Sequence, residues 1–228
     1  MNKYPEIATE RFDNANLHIK YCLNFIKKFI SGNVLEVGGG CGSFTRQYIS
    51  NDLESVSITE LDPKNISDLK KKFSNNKKVK VFNKNITDIH GEFDTILYLH
   101  VLEHIKDDVN ELNQAIKKLK KGGFIVIMVP QHQHIYSNLD KAVGHFRRYE
   151  KEFFKQNLIG LNRVRLLSLD TIGYFLYYLN KLFFKNEVFP SKLKIFIWDK
   201  FFTPLTMIVD FLSGYKFGKC ILAIYKKN

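Results

Sequence analysis

Val34-Leu35-Glu36-Val37-Gly38-Gly39-Gly40-Cys41-Gly42 sets an apolar run directly against a cluster of glycines. A strand that feeds into such glycines and then into a helix beginning near Ser43 makes a ligand-binding turn, because residues without a Cβ let the backbone approach a bound molecule. The spacing is E-x-G-x-G-x-G. A dinucleotide turn needs G-x-G-x-x-G, and Gly38-Gly39-Gly40-Cys41-Gly42-Ser43 ends on serine, so phosphate cradling is not the expected use. The next strand ends Ile58-Thr59-Glu60-Leu61-Asp62-Pro63, about twenty residues on, where an acid can accept hydrogen bonds from two ribose hydroxyls. Glu60 is the first choice for that role and Asp62 the second.

Outward from this turn, short runs rich in Val, Ile and Phe alternate with amphipathic, lysine-rich stretches, the pattern of strands and crossover helices in a parallel sheet. Strands are expected at 33–37, 55–60, 78–82, 93–99 and 123–129, with a sixth at 163–169 and a last at 220–225. Leu17, Cys22, Leu23, Phe25, Ile26 and Phe29 fall near helical spacing in a leading helix that Ser31-Gly32 ends. After the fourth strand, Val109, Leu112, Ala115, Ile116 and Leu119 form one apolar stripe, and Gly122-Gly123 is expected to close that helix. A short helix is expected over 150–159. The fold class is α/β, a doubly wound, seven-stranded, mostly parallel sheet in a single domain over 1–228. Residues 1–32 make an N-terminal helical segment, 33–130 the cofactor-binding half, and 131–228 the substrate-side half, with an aromatic-rich insertion over 170–218.

Composition sets outer limits. With 228 residues, 45% hydrophobic and 25% charged, the chain can bury a continuous core and is not of a disordered class. Cys22, Cys41 and Cys220 form no C-x-x-C pair, so neither a disulfide framework nor a zinc site is expected, and a reducing cytoplasm fits best. The start MNKYPEIATERF has no apolar core of a secretory signal. A formal charge of +12 favours anionic partners, although lysine runs such as Lys70-Lys71-Lys72 fall at helix ends, where lysine simply solvates a surface.

The glycine-rich stretch resembles motif I of class I S-adenosylmethionine methyltransferases, with Glu36, Gly38, Gly40 and Gly42 at the matching positions. The resemblance implies S-adenosylmethionine as cofactor and S-adenosylhomocysteine as product, the methionine end held near Glu36 and the ribose near Glu60 and Leu61. Phe93-Asp94-Thr95-Ile96-Leu97-Tyr98-Leu99-His100-Val101-Leu102-Glu103-His104-Ile105 is similar to the F-D-x-I-x-x-x-x-V-L-E-H-I segment of the same family. It implies cofactor or substrate contacts at Leu99 and His100, whereas His104 reads equally as a structural histidine. After the third strand the family carries an acid against the adenine amino group. Here Asn85, followed by Ile86, supplies an amide whose oxygen can still accept a hydrogen bond.

In an open α/β sheet ligands bind beyond the carboxyl ends of the strands, and the weakly periodic segment 131–149 falls there, read as a long loop. Pro130, Tyr136, Asp140 and Gly144-His145-Phe146-Arg147-Arg148-Tyr149 resemble the P…Y…D…G-H-x-R-R-Y pattern of a bacterial methyltransferase subgroup linked to surface-glycan synthesis. Methyl transfer to a hydroxyl needs in-line alignment and a base. His145 is the first candidate for the base and His134 the second. Arg147 and Arg148, with Tyr136 and Tyr149, are the candidates for gripping an anionic substrate. His132, His134 and His145 lack the usual carboxylate or cysteine spacing, so no metal is expected.

The insertion holds two apolar, aromatic stretches, 172–184 and 193–212. The first is short of about 20 residues and the second contains Lys194, Asp199, Lys200, Pro204 and Asp210, so neither is expected to span a membrane. Three readings compete: a lid over the substrate, a contact between copies in a homodimer, or peripheral docking on a membrane, with the first two ahead. The expected function is methyl transfer to a small anionic or phosphorylated acceptor, at oxygen of a sugar or glycan precursor. The alternatives are a lipid or quinone acceptor, or a non-enzymatic cofactor-binding module; nucleic acid is the less expected partner.

Overall fold

The apolar runs read as strands lie side by side in one seven-stranded sheet in a computed structural model that describes residues 15–156, 158, 160–183 and 189–228. In chain order the elements are α1 (Asn16–Ile26), β1 (Asn33–Val37), α2 (Thr45–Tyr48), β2 (Ser55–Thr59), α3 (Pro63–Lys72), β3 (Val79–Phe82), β4 (Phe93–Leu99), α4 (Asp108–Lys118) and β5 (Leu119–Pro130). They continue with α5 (Asn138–Ala142), α6 (Lys151–Gln156), β6 (Leu161–Leu169), α7 (Thr171–Phe183), α8 (Lys192–Ile197), α9 (Thr203–Leu212) and β7 (Cys220–Lys227). The strand order is β3-β2-β1-β4-β5-β7-β6. The first five strands are parallel, and β7 runs antiparallel to both β5 and β6.

Alternate residues of each central strand enter opposite layers of core, as a sheet covered on both faces requires. Val34, Leu97 and Val126 pack with Ile19, Leu23 and Ile26 of α1, whereas Leu35, Ile96 and Ile125 pack with Leu112 and Ala115 of α4. All six strand residues have no exposed surface.

Local details depart from the sequence expectation at four points. The α4 helix ends at Lys118, and Gly122-Gly123 lies within β5; a Cβ on Gly123 would stand 2.8 Å from the Asp94 carbonyl oxygen, so this glycine serves close strand packing where the ladder shifts register. Val109, assigned to the apolar stripe, is exposed. The helix after the glycine turn starts at Thr45 and has only four residues. Of the helix expected at 150–159, Lys151–Gln156 is helical, and 157 and 159 lie outside the described residues, as do 1–14 and 184.

The insertion folds against the start of the chain. Helix α1 has no local side-chain cap; instead Asp199, in the π-helical turn Trp198–Phe202, accepts a hydrogen bond from the His18 backbone N–H at 2.9 Å. A carboxylate there also meets the positive end of the helix dipole. Asp210 of α9 accepts from the Tyr21 hydroxyl at 2.7 Å and from the backbone N–H groups of Asp170 and Thr171 at 2.7 and 2.9 Å. Buried Asp170 is paired with Lys219 at 2.8 Å.

Among the described residues no helix is long and apolar enough to cross a membrane. Phe175, Phe183, Phe196, Phe201, Phe211 and Leu212 are nevertheless exposed on α7–α9. Asp210→Ala strands three buried donors and should lower unfolding free energy by about 3 kcal/mol in urea titration. An unchanged midpoint would show that the insertion does not depend on this carboxylate.

Candidate active site

The carboxyl end of β1 emerges between β2 and β4, where the strand order turns in two directions. The turn that follows has Gly38 at φ +67° and Gly40 at φ +53°, the left-handed region that glycine enters without strain. Its glycines do different work. A Cβ on Gly39 would meet Ile58 Cγ2 at 2.3 Å, and one on Gly38 would meet the Val101 methyls at 2.7 Å, so both are held to close packing. A Cβ on Gly40 would meet nothing within 4 Å and would project into open space: a cradle suited to a ligand rather than to protein. Gly42, grouped with them in sequence, lies away from the cavity, pressed towards Leu69 and Phe73.

Two acids flank the turn. Glu36 is buried, and its Oε2 accepts from the Thr45 hydroxyl at 2.5 Å and the Tyr48 hydroxyl at 2.6 Å. Burial pushes this carboxyl up to about 7, against the partly offsetting pull of those two hydroxyls. Glu60 Oε2 accepts from the Gly40 N–H at 2.8 Å, and its Oε1 from the N–H groups of Leu61 and Asp62 at 2.7 and 2.9 Å. The second acid thus braces the turn from the neighbouring strand. Asp62, the second choice, is instead the N-cap of α3, accepting from the Lys64 and Asn65 N–H groups.

These groups open on a cavity of about 1770 Å³. Leu61, Asn85, Ile86, Leu99 and His100 line it with Glu36, Gly38, Gly40 and Glu60. His100, just past β4, has φ +59°, uncommon for a residue with a Cβ and held here by its N–H to the Met128 carbonyl at 2.8 Å.

The opposite wall comes from the segment 131–149, which has structure of its own. It contains a short 3-10 turn at Gln133–Ile135 and α5, whose Ser137 and Asp140 form a reciprocal capping box. Asp140 is buried and accepts from His145 Nδ1 at 2.7 Å, Arg148 Nε at 3.0 Å and the Tyr177 hydroxyl of α7 at 2.7 Å. Burial pushes its carboxyl up, but His145 and Arg148 outweigh this and hold it well below the usual range. With Nδ1 engaged as donor, Nε2 of His145 is the nitrogen left to act.

The structure divides the remaining candidates. Tyr136 and Arg148 line the cavity, although the Tyr136 hydroxyl donates to the His145 carbonyl at 2.6 Å and Arg148 is buried between Asp140 and the Tyr177 ring, 4.3 Å from its centroid. Arg147 pairs with Asp108 at 2.8 Å, and Tyr149 donates to the same carboxylate at 2.7 Å, both away from the cavity. His134 also lies off the cavity, hydrogen-bonded to the Tyr174 hydroxyl at 3.0 Å. The grouping of His145 with His132 and His134 is not formed: His132 and His134 gather with Glu150, and His145 with Glu103 and His104. Not named individually in sequence were Glu103, buried in the cavity wall, and Leu176, Tyr177, Ile195 and Trp198, through which the insertion lines it. The V-L-E-H-I segment carried the signal for Glu103, and the aromatic runs of the insertion carried the lid reading without singling out these side chains.

Two outcomes follow from this geometry. Gly40→Ala should lower the unfolding free energy in urea by about 1–2 kcal/mol, the cost of a left-handed backbone for a residue with a Cβ, whereas Gly39→Ala should cost more, through the Ile58 clash. Folded Glu36 keeps its proton up to about pH 7, while the unfolded residue loses it near 4.5, so its contribution to stability is lost as pH rises through that window, roughly 3 kcal/mol in all. Denaturation of Glu36→Gln at stepped pH should therefore differ from the parent by a slope confined to that interval; parallel curves would count against it.

The comparisons with known proteins agree with this architecture. Residues 12–170 match a family model described as a methyltransferase domain. Among solved structures, the N-methyltransferase NodS from Bradyrhizobium japonicum WM9 in complex with S-adenosylhomocysteine is similar at a TM-score of 0.61 and 14% identity, covering 99% of this chain and 93% of that one. Coclaurine N-methyltransferase, bound to N-methylheliamine and S-adenosylhomocysteine, gives 0.63 and 15% over 93% and 72% of the two chains. The plantazolicin methyltransferase BpumL, also with S-adenosylhomocysteine, gives 0.55 and 17% over 98% and 86%. No curated protein sequence matches. A glycine cradle at the switch point, an acid at the ends of β1 and β2 and a matching family model over most of its length together mean that this chain belongs to the methyltransferase domain family, with the S-adenosylmethionine-dependent class I fold.

Proposed function

We propose that this methyltransferase transfers a methyl group from S-adenosylmethionine to an oxygen of a small anionic or phosphorylated acceptor, a sugar or glycan precursor, in the cytoplasm. The observation that carries the reading is that the Gly38–Gly40 cradle and the Asp140-aligned imidazole of His145 open on one cavity from opposite walls. Glu36, Glu60 and Asn85 are the groups to hold the cofactor's amino-acid end, ribose and adenine. The cofactor supplies an electrophilic methyl on sulfur; the chain's part is to align the acceptor and remove its proton, since an alcohol is a poor nucleophile until deprotonated. In this reading His145 Nε2 is the base for that step. Lys106, Lys141, Lys181 and Lys194 border the acceptor end and favour an anion.

The exposed aromatic face of α7–α9 supports a second reading, an apolar acceptor such as a lipid or quinone. Calorimetry should show S-adenosylmethionine binding by the parent and affinity reduced about tenfold or more in Glu60→Ala, the equivalent of one or two lost hydrogen bonds. No heat with the parent would sink the reading. A transfer screen read by product mass, over nucleotide sugars, phosphorylated metabolites and quinones, should give methylated product from the anionic set; product from quinones alone would favour the second reading.

A further inference from the structure

Glu103 is the anomaly of the cavity. Its side chain is 1% exposed, yet neither carboxylate oxygen has a hydrogen-bond partner. A buried carboxylate without donors costs several kcal/mol unless a cation or hydrogen bonds compensate it. Three imidazoles face it without closing that gap: His100 Nδ1 stands 3.7 Å and His145 Nε2 3.8 Å from Oε1, both beyond hydrogen-bond length, and His104 packs edge-on against His145 with ring centroids 4.7 Å apart. One donor atom from each of Glu103, His104 and His145 lies within 4.8 Å of the others.

We propose that Glu103, His104 and His145 bind one divalent transition-metal ion at the acceptor end of the cavity. Two imidazoles and a carboxylate are a donor set suited to zinc, manganese or iron(II), with open positions for water or substrate. Ligands at about 2.1 Å from such an ion stand about 3–3.5 Å apart, so the 3.8 Å between His145 Nε2 and Glu103 Oε1 closes with a shift of a few tenths of an ångström, and no pair in the group, all within 4.8 Å, needs more than side-chain rotation on the scale of an ångström. The surroundings are those of a ligated histidine: Asp140 accepts a hydrogen bond from His145 Nδ1, which leaves Nε2 facing Glu103. The second His-carboxylate group, His132 with His134 and Glu150, lacks this character, since His134 and Glu150 are exposed and already bonded to Tyr174 and the Gln133 N–H.

The catalytic consequence rests on the methyltransferase reading above; the binding does not. With the ion present, the Nε2 lone pair is committed as a ligand, and the acceptor hydroxyl is activated by coordination instead. Its proton leaves to water, the oxygen lone pair forms the O–CH₃ bond, and the C–S bond breaks with its electron pair passing to sulfur.

The test uses cobalt(II) and zinc(II) on chelator-treated full-length protein. The parent should retain one zinc per chain after desalting and develop visible cobalt absorption. Glu103→Gln and His145→Ala should each weaken binding about tenfold or more, Asp140→Asn should weaken it less, and His132→Ala should leave it unchanged. Calorimetry with S-adenosylmethionine on the same variants reports folding and tests the cofactor reading separately. Cofactor binding without metal retention overturns the ion site alone; metal retention without cofactor binding overturns the methyltransferase reading alone. Loss of the ion in His132→Ala, or binding by Glu103→Gln and His145→Ala as tight as the parent's, overturns this site.

Discussion

The reversal of strand order at β1 is the constraint from which the site follows. Crossovers in a parallel sheet share one handedness, so the chain that leaves β1 for β2 and β3 lays its helices on one face, and the chain that crosses back to β4 and β5 lays them on the other. Above the carboxyl end of β1 neither set of connections covers the sheet. The glycine turn occupies that opening, braced by Glu60 from β2 and packed by Val101 beyond β4. Gly38 is packed by Val101 and Gly39 by Ile58, and of the three only a Cβ on Gly40 would enter open space.

A second dependence holds together the wall opposite the glycine turn. Asp140 collects His145, Arg148, Ser137 and Tyr177 around one buried anion, and each donor comes from a different part of the wall. A buried carboxylate is tolerable only when so fully bonded, and this ties the α5 segment to the insertion. The insertion is in turn fastened to α1 by Asp199 and Asp210, so the chain's beginning, the insertion and the acceptor wall share one polar seam.

The glycine turn and its bracing acid were legible because their determinants are local. Glu36, Gly38 and Gly40 are neighbours in sequence, and Glu60 stands at a spacing that strand pairing converts directly into proximity through the register Glu36 to Ile58. The acceptor side was legible only as a collection of residue types. Arg147 and Tyr149 read as substrate grips, but their partner, Asp108, lies some forty positions earlier and spends both on the wall's own structure. Arg148 is likewise spent on Asp140 and Tyr177. Gly122-Gly123 read as a helix end because glycine marks caps and tight packing alike, and only the register against β4 tells them apart.

By itself the sequence determined the α/β class, the strand set and the glycine cradle with its two acids, since hydrophobic periodicity and turn chemistry act over a few residues. The tertiary structure decided which glycine of the turn faces open space, which histidine shares its pocket with Glu103, and which parts of the insertion line the cavity. Those outcomes depend on contacts between residues about forty to nearly two hundred positions apart, such as His145 with Glu103 and His18 with Asp199. Spacing along the chain carries no information about such pairs until the sheet has brought them together.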